Sequence, residues 1–203
     1  MNTCNLLGIS GSLRARSINT EVLRAAGLVA PPSVHIALFG GLVELPHFNP
    51  DLDAEGAVAP AAVQALRAHI AAADGLFICS PEYAHGVPGS LKNALDWLVS
   101  GPEILYKPIG LLNASPRSTH AQAALAETLR TMSTVLVPGA SIDLPLSGRR
   151  LDAAGIAADA TLAQLLRAAV EALVSAVPNY RQVRASLALP NATAGADPVD
   201  PAA

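Results

Sequence analysis

Three short segments of this chain gather the residues able to hold an anion or a flat polar ring. The first, Ser10-Gly11-Ser12-Leu13-Arg14-Ala15-Arg16-Ser17-Ile18-Asn19, leads from an apolar run straight into a helix-period segment. The hydroxyls of Ser10, Ser12 and Ser17 and the amide of Asn19 are donors, and Arg14 or Arg16 adds positive charge. The free N–H groups and positive dipole end of the following helix point at the same place, and Gly11 lets the backbone approach closely. This is chemistry for a phosphate. The competing role for Ser17 or Asn19 is a plain helix cap. Neither G-x-G-x-x-G nor a G-K-S/T ending is present, so this is not a dinucleotide fingerprint or a P-loop. Gly8-Ile9-Ser10-Gly11-Ser12 approaches a nucleophile elbow, G-x-S-x-G, but its last position is Ser12, which counts against a hydrolase.

The second segment is Ser80-Pro81-Glu82-Tyr83-Ala84-His85-Gly86-Val87-Pro88-Gly89. Two prolines and two glycines around an aromatic make a rigid turn that presents backbone amides. Such a turn suits the edge of a flat heterocycle, with Tyr83 leaning on it. Glu82 could serve instead as a helix-end or interface partner, and His85 is a candidate proton donor. The third segment is Ser115-Pro116-Arg117-Ser118-Thr119-His120. The five histidines, at 35, 47, 69, 85 and 120, lack metal-ligand spacing. No catalytic triad or carboxylate pair is evident, so the candidate residues are binding residues.

The elements that must position these segments alternate apolar runs with helix-period stretches, the signature of βαβ units and a parallel sheet. Strands are predicted at 5–10, 34–39, 75–80, 109–114 and 135–138. Helix faces are read at Val63, Leu66, Ile70 and Ala73, at Leu91, Ala94, Leu95 and Leu98, and from Leu162 to Leu173. Pro60 and Pro88 sit where a first helical turn tolerates proline. Five such units predict an α/β three-layer sandwich on a five-stranded, doubly wound parallel sheet of order 2-1-3-4-5. Loops after parallel strands gather at one sheet edge, where ligands of open α/β sheets bind. All three segments follow predicted strands.

GSLRARSIN and SPEYAHGVPGSLKNALDWL resemble the two signature segments of the NADPH-dependent FMN reductase family, flavodoxin-like enzymes that include FMN, quinone, azo and chromate reductases. Leu45-Pro46-His47-Phe48-Asn49-Pro50-Asp51-Leu52 extends the resemblance, which covers roughly residues 3 to 145. It implies bound FMN and a hydride passed from NADPH or NADH through the flavin to a small acceptor. It further implies that Ser12, Arg14, Ser17, Ile18 and Asn19 cradle the FMN phosphate. Pro81, Glu82, Tyr83 and Ala84 would line the isoalloxazine, with Ser115 beside it. A flavodoxin-type electron carrier and a non-catalytic flavin-binding protein are the alternatives. Two departures stand out. Family members commonly carry Asn and a small residue where this chain has Ala84-His85, and a glycine-rich third loop where it has Ser115 to His120. The ring end of the flavin is therefore expected to be held loosely, with Arg117 compensating near the flavin or the nucleotide phosphates.

The remaining composition bounds partners and setting. Among 203 residues, 13 basic against 16 acidic give a net charge of −3, without the basic stripe a nucleic-acid surface needs. No run is read as approaching the roughly 20 apolar residues of a membrane span, and no basic leader followed by an apolar run opens the sequence. A cytoplasmic location is expected. Cys4 and Cys79, at opposite ends of neighbouring strands, are read as buried thiols about 16 Å apart, too far for a disulfide. Residues 1–184 are read as one domain, and 185–203, rich in Ala, Pro, Gly and Asp, as a disordered tail. Trp97 is placed off the apolar stripe of helix 88–100, which predicts a homodimer or homotetramer through an exposed tryptophan.

Overall fold

The computed structural model describes residues 3–187. Its strands are β1 (Cys4–Ser10), β2 (Val34–Phe39), β3 (Gly75–Cys79), β4 (Pro108–Asn113), β5 (Val135–Leu136) and β6 (Ile142–Asp143). The helices are α1 (Ile18–Val29), α2 (Ala61–Ala72), α3 (Gly89–Asp96), α4 (Thr119–Thr131), α5 (Ala153–Ala158) and α6 (Ala160–Ser186). All strand pairs are parallel, in the order β2-β1-β3-β4-β5, with β6 also on β4. The fifth position is thus filled by two short strands. Val135 and Leu136 pair the start of β4, Ile142 and Asp143 its end. Between them Pro138, which lacks an N–H, opens a 3-10 turn to Ala140.

Side chains alternate across the sheet, so neighbouring residues feed two different cores. Leu7, Ile9, Leu76, Ile78, Ile109 and Leu111 pack under α2, α3 and α4. Leu6, Phe77, Cys79 and Leu112 pack under α1, α5 and α6. Helices on both faces leave the central strands fully buried, which is why they read as unbroken apolar runs. The 27-residue α6 is long and apolar enough to cross a membrane, contrary to the reading that no such stretch exists. Leu162, Leu166, Val170, Leu173 and Val177 on one face are core residues of the second layer. The same helix continues through Ala185 and Ser186, so the tail expected from residue 185 does not begin there; its residues 188–203 lie outside the described residues.

Cys79 pairs in register with Ser10, six residues along β1 from Cys4, a separation of about 20 Å. Both thiols are free and buried.

The exposed Trp97 is overturned. Its side chain is fully buried, its indole N–H donates to the Pro46 carbonyl at 2.8 Å, and Phe48 meets it edge-on at 5.0 Å. The helix stops at Asp96, so Trp97 is its C-cap rather than one more position on a continuing wheel. Asn93 holds the covering loop in place, accepting from Phe48 N and donating to Pro46 O. Arg67 fastens the far side through the Trp97 carbonyl, Asp53 and Ser100. The stretch 45–52 is therefore the lid of one core, and Trp97 gives no ground for a partner surface.

Candidate active site at the carboxyl edge of the sheet

The first loop leaves β1 and is held against β3 by Gly11, whose N–H donates to Cys79 O at 2.9 Å. A Cβ on Gly11 would collide with the Ser80 side chain, so glycine is needed for the close approach of the two loops. Ser12, Ser17 and Asn19 are buried, while Leu13, Arg14, Ala15 and Arg16 are exposed. Ser10 Oγ accepts from Thr20 Oγ1 at 2.9 Å and is committed to bracing the loop. Thr20, which the sequence reading passed over, is thus its brace from the first turn of α1. Asn19 Oδ1 faces the Cys79 thiol at 3.4 Å. Burial pushes that thiol far above its usual range, making it a neutral donor and not a nucleophile.

Ser17 is the N-cap residue of α1, yet its side chain makes no capping bond. Its Oγ is buried with no hydrogen-bond partner. Buried hydroxyls are rarely left unpaired, and the first N–H groups of a helix also lack internal partners. The acidic residue of that turn, Glu21, is committed elsewhere, to Arg24 and to Ala153 N. A phosphate seated there would satisfy the Ser17 hydroxyl and the helix amides together, with Arg14 and Arg16 free to approach. The residues present fit FMN's phosphate.

Beside this loop opens a shallow cleft of about 380 Å³, lined by Gly11, Leu13, Arg14, Tyr83, Pro88, Gly89 and Ser90. It joins the first and second loops, and lies within the range of small-ligand sites. Arg14 and Tyr83 are the candidates it brings together directly. Pro88, Gly89 and Ser90 were missed as lining residues, although they lie within the second signature segment. A Cβ on Gly89 would meet only open space.

The second loop turns tightly. Tyr83 and Gly86 exchange backbone hydrogen bonds of 3.1 and 2.9 Å, and Ala84 and His85 between them have φ of 49° and 61°. Two left-handed residues inside such a bridge define a type I′ hairpin turn, where Asn-Gly is favoured. The turn survives the departure from the family pattern, at a steric cost carried by two Cβ atoms. Glu82 takes the helix-end role, accepting from Ala121 N of α4 at 2.8 Å. The His85 and His120 rings pack at 4.3 Å between centroids. The second loop is therefore bound to the third.

In the third loop Ser118 N donates to Ser115 O at 2.8 Å, closing a turn over Pro116 and Arg117. Ser115 N already donates to Asn113 Oδ1 at 3.1 Å. Ser115 lies at the same sheet edge but does not line the cleft; of the candidate residues only Arg14 and Tyr83 do.

The comparisons with known proteins show the family and the fold. The family model for NADPH-dependent FMN reductases matches residues 4–144. An NAD(P)H-dependent FMN reductase of Pseudomonas aeruginosa is 34% identical over 173 residues, 83% of this chain and 92% of the relative. A quinone reductase of Escherichia coli is 38% identical over 107 residues, 52% of this chain and 56% of its own length. Among solved structures, the flavoenzyme NAD(P)H:(acceptor) oxidoreductase FerB of Paracoccus denitrificans superposes with a TM-score of 0.72 at 28% identity, over 87% of this chain and 98% of its own. The family match takes in the first, second and third loops, and the chain belongs to the NADPH-dependent FMN reductase family.

Proposed function

We propose that the cleft holds FMN, its phosphate on the amino end of α1 and its ring along the second loop, and that NADPH or NADH reduces a quinone or free flavin there. The observation that carries this reading is the buried, unpartnered Ser17 hydroxyl at a helix end flanked by two arginines. Ser12, Arg14, Ser17, Ile18 and Asn19 take the phosphate. Pro81, Glu82, Tyr83 and Ala84 take the ring through the loop backbone and the Tyr83 side chain, with Ser115 beside it. When bound, FMN supplies the redox chemistry, accepting a hydride equivalent from nicotinamide and passing the electrons to the acceptor. The protein's share is positioning. The Pro81–Pro88 turn would offer the ring its backbone, and the Glu82–Ala121 bond holds the loop against α4.

Leu13 and Tyr83, apolar groups flanking the cleft, are both more than half exposed, which supports a second copy covering the open side in a homodimer or homotetramer. The two free thiols suit a reducing, cytoplasmic setting. Fluorescence titration with FMN tests the site, and stopped-flow mixing of the loaded protein with NADPH tests the activity. Rapid bleaching of the flavin is expected; tight FMN binding without bleaching would indicate an electron carrier. Light scattering that gave a 20.7 kDa particle would overturn the oligomer.

A further inference from the structure

The basic residues of this chain fall into two groups. Arg24, Arg67, Lys92, Arg130, Arg149 and Arg181 are ion-paired. Lys107 and Arg184 are bonded to carbonyls or to Tyr180. That leaves Arg14, Arg16, Arg117, Arg150 and Arg167, whose side chains have no partner among the described residues. All but Arg167 lie in loops that follow parallel strands, at the carboxyl edge of the sheet. In a chain of net charge −3, unpaired cations thus collect on the one edge that carries the cleft. Such a local field attracts anions.

One phosphate does not account for them all. The flavin phosphate is assigned to α1's amino end, with Arg14 and Arg16. Arg117 follows β4, two strands along the edge, at about 4.8 Å per strand. Its turn is fixed by Pro116 and by the Ser118–Ser115 bond, so its backbone is set before any ligand arrives. Three residues later His120, in the first turn of α4, packs on His85, and each imidazole offers at least one N–H donor. The two carboxylates at this corner are already bonded, Glu82 to Ala121 N and Asp143, beside the end of β4, to Asn113 Nδ2 at 2.7 Å.

Building on the FMN reading, we propose that Arg117, with His120 and His85, forms a second anion position that takes the pyrophosphate of the nicotinamide nucleotide. A planar guanidinium suits the paired oxygens of a pyrophosphate better than an ammonium does. The same anion chemistry could be offered by a negatively charged acceptor, and the test separates the two.

The test uses FMN-loaded full-length protein and ADP-ribose, which carries the pyrophosphate but cannot donate hydride. Calorimetry on wild type, Arg117→Gln and Arg117→Lys gives its dissociation constant. FMN fluorescence titration is run on the same three proteins, as is binding of a sulfonated and an uncharged naphthoquinone. The expected result is ADP-ribose bound tenfold or more weakly by Arg117→Gln, an intermediate value for Arg117→Lys, and an FMN constant within about twofold of wild type. Unchanged ADP-ribose binding in Arg117→Gln overturns the inference. Selective loss of the sulfonated quinone overturns it in favour of an acceptor-anion site, and equal weakening of FMN assigns Arg117 to the flavin instead. Failure of the wild-type protein to bind FMN at all is the separate failure of the underlying reading.

Discussion

The Glu82 carboxylate accepts a 2.8 Å hydrogen bond from the Ala121 backbone N–H, so the loop after β3 caps the helix that follows β4. No other described side chain serves that end of α4, whose own N-cap Ser118 makes no side-chain capping bond. Glu82→Ala is expected to cost about 1 kcal/mol of stability, read by urea denaturation of the apoprotein. Glu82→Gln, which keeps an acceptor oxygen, should cost less. If the ring lies along this loop, both variants also weaken FMN, and the alanine variant weakens it more.

Ser17 separates a structural cap from a ligand-binding one. A bonded N-cap serine loses about 1 kcal/mol on replacement by alanine, but the Ser17 hydroxyl bonds nothing. Ser17→Ala should therefore leave the apoprotein's urea midpoint unchanged or slightly raised, while FMN binding weakens about tenfold. Arg14→Ala should weaken FMN by about 1.5–3 kcal/mol, the scale of a charged hydrogen bond. A Ser17→Ala protein that loses stability but not FMN affinity would make the residue a mere cap.

The first four strands were legible to within a residue or so, because strands buried on both faces leave continuous apolar runs with turn residues at their ends. The first loop was legible for a similar reason: its serines, arginines and glycine adjoin a helix start. What was not legible depends on contacts distant in sequence. Trp97 is covered by a loop about 50 residues earlier, and nothing in α3 foretells that cover. The split of the fifth strand follows from one proline, visible in hindsight at Pro138. Glu82 was read as ring-lining by resemblance and as a helix-end partner from its type, and its side chain takes the second role because α4 starts beside it. Thr20 escaped notice because its hydroxyl matters only once α1 folds back on β1.

Lys107 gives a pH signature at the opposite edge of the sheet. Its side chain is fully buried, with Nζ donating to the carbonyls of Ile70 and Ala73 at the end of α2 and lying 4.9 Å from the Tyr180 ring centre. Burial, helped by nearby Arg184, lowers its pKa from 10.5 to about 7, against the pull of Asp74 and Glu103. Above pH 7 the folded amine is neutral while the unfolded one still holds its proton, so unfolding takes up a proton and stability rises with pH. The gain should be at most about 1.4 kcal/mol per pH unit. It is clearest from pH 7 to about 8.5, because above pH 9 the buried Cys79, whose thiol is raised, works in the opposite direction. Urea titrations at pH 6.5, 7.5 and 8.5 should show the rise in wild type and its loss in Lys107→Met.

The hairpin turn at the tip of the second loop tests whether strain there serves the site. Ala84 and His85 both hold left-handed backbone angles, where a Cβ costs about 1 kcal/mol or more per residue. Asn-Gly is the sequence that a type I′ turn prefers. Ala84→Asn with His85→Gly should thus stabilise the apoprotein by about 1 kcal/mol, shown by a higher urea midpoint with an unchanged slope. The same change removes the imidazole packed on His120. Wild type, with its ring-side loop free of glycine in the third segment, is expected to purify with sub-stoichiometric flavin and to gain activity on adding FMN. If loose retention arises from the strained turn, the double variant will show a higher ratio of 450 to 280 nm absorbance after dialysis. A stabilised variant with no gain in retained flavin would place the weakness in the third loop, where Pro116 removes an N–H. Full occupancy of wild type after dialysis would remove the premise altogether.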